Sequence, residues 1–135
     1  MKAPSAILAT LAAIALAAAL SSCASAPKEI PADLSAQTLI QRAQEASDAY
    51  NYKAAVAYYQ ALRDRYGSDP AYLCAADYEI AFIAYKEARY AEARTGLTAL
   101  IERYNAADGE SLPPRYRILA DKVLAKIDEL EKAKK

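Results

Sequence analysis

The sequence predicts an all-α domain, and three observations carry the prediction. Ala is abundant and Gly is scarce, at 3 of 135 residues, which is a composition that favours helix. The last stretch of the chain has apolar residues three or four apart, the period of a helix with one buried face. The helical pattern also repeats after 38 residues.

Turn-forming residues divide the chain after position 33 into five predicted helices, at about 34–48, 52–66, 70–87, 90–104 and 114–133. Gly67 follows the second helix and suits the left-handed turn that often ends a helix. Asp69-Pro70 offers a cap and a first-turn proline for the third. The last helix carries an amphipathic stripe, formed by Tyr116, Leu119, Val123, Ile127 and Leu130.

The N-terminus predicts an export signal over residues 1–22. Lys2 precedes an apolar run of about 15 residues, Ala6 to Leu20, which is short for a membrane span of roughly 20 residues and suits a signal-peptide core. The run ends in Leu20-Ser21-Ser22-Cys23, which resembles the lipobox of bacterial lipoproteins. The resemblance implies cleavage before Cys23 and a diacylglyceryl group on its thiol. An ordinary signal peptide, or an uncleaved anchor with a chance Cys, is the alternative.

The lipidated Cys and residues 24–33 are predicted to form a flexible tether, because Pro27 and Pro31 oppose helix and no apolar period is present. The domain itself is predicted over 34–133. With Cys23 lipidated, Cys74 is the remaining thiol, so no intramolecular disulfide is possible. We expect Cys74 to be buried as a small apolar residue.

A helix-pair repeat with a 38-residue period connects the predicted helices. Within a 15-residue window, shifting the chain by 38 aligns six identical pairs, where roughly one or two are expected by chance. The pairs are Tyr52/Tyr90, Ala55/Ala93, Ala61/Ala99, Leu62/Leu100, Arg65/Arg103 and Tyr66/Tyr104.

These residues resemble the tetratricopeptide repeat, in Asn51-Tyr52-Lys53-Ala54-Ala55 and again in Arg89-Tyr90-Ala91-Glu92-Ala93. The phrases ALRDRYGSDP and LIERY are similar to repeats of BamD-type outer-membrane assembly lipoproteins and YbgF/CpoB-type periplasmic proteins. The resemblance covers about 34–130 and implies antiparallel helix pairs, two repeats plus a closing helix, in a short right-handed solenoid. It also implies close helix contacts at Ala43, Ala55, Ala81 and Ala93. A non-repeating bundle is the alternative.

Enzymatic chemistry is not predicted. The sequence has no His and one thiol besides Cys23, which argues against His-based triads, metal sites and structural zinc. The three glycines stand alone, so no phosphate-binding loop is indicated. Lys+Arg and Asp+Glu are both 17, and this balance gives no reason to expect nucleic acid. We therefore expect no cofactor beyond the covalent lipid and no small-molecule substrate.

A concave face for partner binding is the expected functional feature, because stacked helix pairs expose such a surface. Tyr78, Phe82 and Tyr85 are spaced by four and three and so share one side of the third helix. In the family register they face the groove, together with Lys86, Tyr116, Ile40 and Gln44. The alternative is that the same aromatics only pack the helices together.

The sequence thus predicts a membrane-anchored envelope lipoprotein that serves as a protein-interaction scaffold in outer-membrane or envelope assembly. The alternative is a structural lipoprotein that self-associates or binds cell wall without a peptide groove. Ala24, rather than Asp, follows the Cys, and by resemblance to enteric lipoproteins this favours the outer membrane, facing the periplasm.

Overall fold

The computed structural model describes residues 25–134 and confirms the all-α prediction over that range. It contains five α-helices and one 3₁₀ turn, with no strand in the described part of the chain. The predicted signal peptide and Cys23 lie outside the described residues. The helices are α1 (Ala36–Asp48), α2 (Tyr52–Tyr66), α3 (Pro70–Lys86), α4 (Tyr90–Tyr104) and α5 (Pro114–Lys132), with the 3₁₀ turn at Gly109–Ser111.

Side-chain caps set the helix starts. Ser35 accepts a hydrogen bond from the Thr38 backbone N–H, so α1 begins two residues later than predicted. Asn51 caps α2 in the same way. Asp69 caps α3, with Pro70 in its first turn, as predicted. Each cap satisfies a backbone donor that the first helical turn leaves without a partner.

The turns that end α1 and α3 have the same geometry 38 residues apart. Tyr50 and Ala88 both adopt left-handed backbone conformations, with φ of 57° and 59°. The residue after each of them donates a backbone hydrogen bond to the carbonyl five positions earlier, Asn51 to Ala46 at 2.8 Å and Arg89 to Ala84 at 2.9 Å. Together with the shorter bonds made by Tyr50 and Ala88, these are Schellman motifs, built without glycine.

The prediction of a left-handed Gly67 is wrong. Gly67 has φ −69° and ψ −4°, a right-handed conformation. The chain turns instead through a hydrogen bond from the Asp69 backbone N–H to the Tyr66 carbonyl, 3.0 Å long. Glycine is required there for space, because a Cβ atom would lie 2.3 Å from the Arg63 carbonyl oxygen.

Two apolar clusters form the core, and α3 contributes to both. One cluster joins α1, α2 and one side of α3, and includes Leu39, Ala43, Ala55, Leu62 and Ile83. The other joins the opposite side of α3 to α4 and α5, and includes Cys74, Tyr78, Ala81, Ala93, Leu97 and Ile127. Consecutive helices pack on one another throughout. The four alanines expected at helix contacts are all buried.

Residues 25–33, the described part of the predicted tether 23–33, are not free, and this corrects the prediction; Leu34, predicted to begin the first helix, continues the same non-helical segment. The segment is non-helical, as its prolines indicate, but it lies along α2. The Arg65 guanidinium donates to the Ile30 and Pro31 carbonyl oxygens at 2.8 and 2.6 Å. Ile30 and Leu34 pack against the first cluster. The sequence pattern indicated the absence of helix and could not indicate this docking.

Candidate partner-binding face

Five aromatic rings follow one another along α3 and onto its neighbours, and we call them the aromatic ladder. The ladder consists of Tyr116, Tyr78, Phe82, Tyr85 and Tyr90. Their ring centroids are separated in turn by 5.9, 5.6, 5.8 and 5.8 Å. The two pairs within α3 are stacked, with interplanar angles of 14° and 13°, an arrangement worth about 0.5–1.5 kcal/mol per pair beyond area burial.

One ring of the ladder is buried in the core, and the others remain partly exposed at the surface. Tyr78 is only 5% exposed and belongs to the second cluster, so the partner-binding role predicted for it is wrong. The physical reason is that α4 and α5 close over that side of α3. Burial raises the pKa of the Tyr78 hydroxyl to about 12. Phe82, Tyr85 and Tyr116 are half-buried and pack against the same cluster, which leaves part of each ring accessible.

Three cations lie over rings of this face. The Lys86 ammonium is 5.2 Å from the Phe82 ring centroid and 5.3 Å from that of Tyr52, and it donates to the Ser47 hydroxyl at 2.8 Å. Arg115 lies over Tyr116 at 4.9 Å, and Lys134 lies over Tyr90 at 5.2 Å. Each cation–ring contact is worth about 0.5–1 kcal/mol when exposed.

Tyr52 and Tyr90 were not predicted as part of the site, although the 38-residue repeat makes them equivalent. Each opens the second helix of its pair, and each lies beneath a lysine near the end of a later helix. The repeat was the signal that could have identified them, because an aromatic ring recurring at the same position indicates a shared role.

Glu79 is the acidic group on the same helix turn as this face. Burial raises the pKa of its carboxyl, while the positive charges of Lys86 and Arg115 act in the opposite direction. Its charge also contributes to the raised pKa of Tyr59, after burial of that hydroxyl.

The two α1 residues predicted for the site, Ile40 and Gln44, make no ring contact with the ladder of the kind found among its members. Ile40 is half-buried and packs against the first cluster, whereas the ladder residues belong to or pack on the second. Gln44 is exposed on α1. The connection from α1 to the ladder instead runs through Ser47, which accepts the hydrogen bond from Lys86.

A groove of about 480 Å³ lies on another face of α3, between α2 and α4. Its lining is apolar at the base, with Ile80, Ala81 and Gly96. The base is tight, since a Cβ on Gly96 would lie 2.9 Å from the Ala81 Cβ. At one end Asp77 accepts from Arg103 at 2.8 Å and lies 3.6 Å from Arg63. Sequence reasoning did not indicate this groove, because its residues come from three helices.

Within residues 25–134, no helix has the length and apolarity needed to cross a membrane. The same residues include no group of three or more His, Cys, Asp or Glu side chains placed to hold a metal ion. Cys74 is fully buried, and burial raises the pKa of its thiol. Low thiolate content and lack of access make a thiol poorly reactive.

The chain is similar to an uncharacterized protein of Treponema pallidum (strain Nichols), with 35% identity over 99 residues. The aligned part is 72% of this chain and 40% of that relative, so the chain spans well under half the relative's length. No family model matches the sequence, and no solved structure matches it.

Proposed function

We propose that this protein is a lipid-anchored scaffold of the cell envelope, built as two tetratricopeptide-type helix pairs and a closing helix, which binds a partner protein through the aromatic ladder. The observation that carries the proposal is the ladder itself. Its rings run without interruption across α3, α4 and α5, and all of them except the buried Tyr78 remain partly exposed.

The repeated turns support the tetratricopeptide-type arrangement. The Schellman motifs at Tyr50 and Ala88 have matching hydrogen bonds, and the alanines of both pairs are buried where α1 meets α2 and α3 meets α4. Short chains of such units have one face lined by the first helix of each pair. In this protein those helices are α1, α3 and α5, and the α3 and α5 rings are in contact.

The chemistry of the face indicates the class of partner. Half-exposed rings favour apolar or aromatic side chains, and centrally buried aromatics are the usual hot spots of protein interfaces. Lys86, Arg115 and Lys134 add positive charge around the rings. The site therefore fits a peptide segment that combines apolar side chains with carboxylates.

Displayed random peptides provide the test. Selection on the purified protein should enrich sequences that contain both apolar and acidic residues, and Phe82→Gln should weaken binding of the enriched peptides about 30-fold, the equivalent of a 2 kcal/mol hot spot. Lys86→Ala should weaken the binding of acidic peptides more than that of other peptides. Lys86 lies over two rings, so its removal should cost about 1–2 kcal/mol and lower the melting temperature by roughly 4–16 °C.

Two control variants distinguish binding at the ladder from a loss of folding and from binding in the groove between α2 and α4. Tyr78→Gln alters a buried ring and should lower the melting temperature sharply, whereas Phe82→Gln should lower it much less. Ala99→Gln alters the groove between α2 and α4 and should leave peptide affinity unchanged. If Ala99→Gln abolished binding and Phe82→Gln did not, the ladder would be the wrong site.

A further inference from the structure

The docked segment 25–34 runs the length of α2. Near the C-terminal end of α2, Arg65 holds the Ile30 and Pro31 carbonyls, and the Tyr66 hydroxyl donates to the Leu34 carbonyl at 2.8 Å. At the N-terminal end of α2, the Asn51 side-chain amide donates to the Ser25 carbonyl at 3.1 Å. The segment is thus attached at both ends, by side chains that also belong to the helix.

The beginning of this segment lies at one edge of the domain. We call this the turn edge and define it as residues 49–51 and 87–89, the two Schellman turns. Ala26 lines a small cleft with Tyr52, Val56, Glu87 and Arg89, which places it beside both turns. Lys86 connects the ends of α1 and α3 at this edge through its bond to Ser47.

We propose that the docked segment fixes the orientation of the domain on its membrane, with the turn edge against the lipid headgroups of the bilayer that carries Cys23. This inference rests on the proposed lipidation of Cys23. One residue, Ala24, lies between Cys23 and Ser25, and two residue steps of extended chain reach about 7 Å. The anchor therefore cannot lift the turn edge far from the headgroups while residues 25–34 stay docked.

The side chains of the turn edge suit that position. Tyr50 is 77% exposed, the most exposed large apolar side chain of residues 25–134, and its ring is 6.2 Å from that of Tyr52. Tyr is favoured at membrane–water interfaces because its ring is apolar and its hydroxyl is polar. Lys53 is exposed beside the same turns and can reach headgroup phosphates, whereas the Arg89 guanidinium donates to the Glu87 and Glu92 carboxylates.

This orientation also determines which end of the ladder lies nearer the membrane. Because α3 ends and α4 begins at the turn edge, Tyr85 and Tyr90 lie at the membrane-proximal end of the ladder and Tyr116 at the distal end. A bound partner would lie beside the domain, above the bilayer surface. Its contacts with Phe82 and Tyr116 would stay clear of the headgroups.

Tryptophan fluorescence tests the orientation, because the chain has no Trp and a single introduced Trp is an unambiguous probe. The full-length gene is expressed, and the membrane-extracted protein is checked for lipid on Cys23 by intact mass. It is then reconstituted in phosphatidylcholine vesicles containing headgroup-spin-labelled lipid. Tyr50→Trp should be quenched at least twofold more strongly than Ser68→Trp, which lies at the opposite edge.

The second part of the experiment releases residues 25–34 from α2. Arg65→Ala removes both carbonyl contacts and should reduce the difference in quenching between the two positions, whereas Arg42→Ala on exposed α1 surface should not. Equal quenching of positions 50 and 68 in a lipidated protein would overturn the orientation and leave the anchoring proposal intact. A protein without lipid on Cys23 would overturn both.

Discussion

Ala88→Gly should stabilise the protein, although Ala→Gly changes usually destabilise helical proteins. Ala88 has φ of 59°, and the left-handed conformation costs a residue with a Cβ about 1–2 kcal/mol. Glycine avoids that cost, but it gives the unfolded chain additional entropy worth about 0.4–1 kcal/mol. The expected net gain is about 0.5–1 kcal/mol, or roughly 2–8 °C in melting temperature for a domain of this size.

Thermal and urea unfolding followed by circular dichroism measure this gain. The matched control is Ala125→Gly, on the exposed surface of α5, where glycine should cost about 1 kcal/mol. Tyr50→Gly should be closer to neutral, because it also removes the edge-to-face contact with Tyr52. If Ala88→Gly lost as much stability as Ala125→Gly, the assignment of a left-handed turn there would be refuted.

Three further predictions test the anchor, the helix contacts and the face. Cys23→Ala should accumulate as an unprocessed precursor that takes up no labelled lipid, and normal maturation of this variant would exclude the lipobox. Ala93→Leu should overpack the buried contact and cost about 1–3 kcal/mol, while the adjacent exposed Glu92→Leu should be near neutral; equal losses would contradict the repeat register. Burial raises the pKa of the Glu79 carboxyl in the folded protein, so the folded protein binds this proton more tightly than the unfolded chain does. The folded protein therefore loses stability as the pH rises and Glu79 ionises. Glu79→Gln should therefore stabilise the protein at pH 7 and have little effect at pH 4, as measured by urea unfolding at both values; a gain independent of pH would contradict this reasoning.

The helices could be predicted from the sequence because local chemistry determines their bounds. Asp69-Pro70 and the α5 stripe each specify an element without information from the rest of the chain. The left-handed turns could not be predicted by the glycine rule, which indicated Gly67. The structure places them at Tyr50 and Ala88, where the hydrogen bonds of the Schellman motif outweigh the cost of a Cβ.

The sequence predicts which residues of the candidate site share one side of α3, but it does not predict how much of each ring is exposed. Spacings of four and three place Tyr78, Phe82 and Tyr85 on one side of α3, and their rings do follow one another. The spacing does not specify how far α4 and α5 cover that side, so the burial of Tyr78 was missed. The docking of residues 25–34 was missed for a similar reason, since it depends on Arg65, more than 30 residues away.

Site-specific photo-crosslinking in the native envelope tests the central claim most directly. A photoreactive amino acid replaces Tyr85 on the ladder in one strain and Thr98, on the exposed side of α4, in another, and crosslinked products are identified by mass spectrometry. We predict one dominant protein that is crosslinked from position 85 and not from position 98, and whose crosslink is lost when Phe82→Gln is added. Equal crosslinking from both positions, or a product from position 85 that persists with Phe82→Gln, would contradict it.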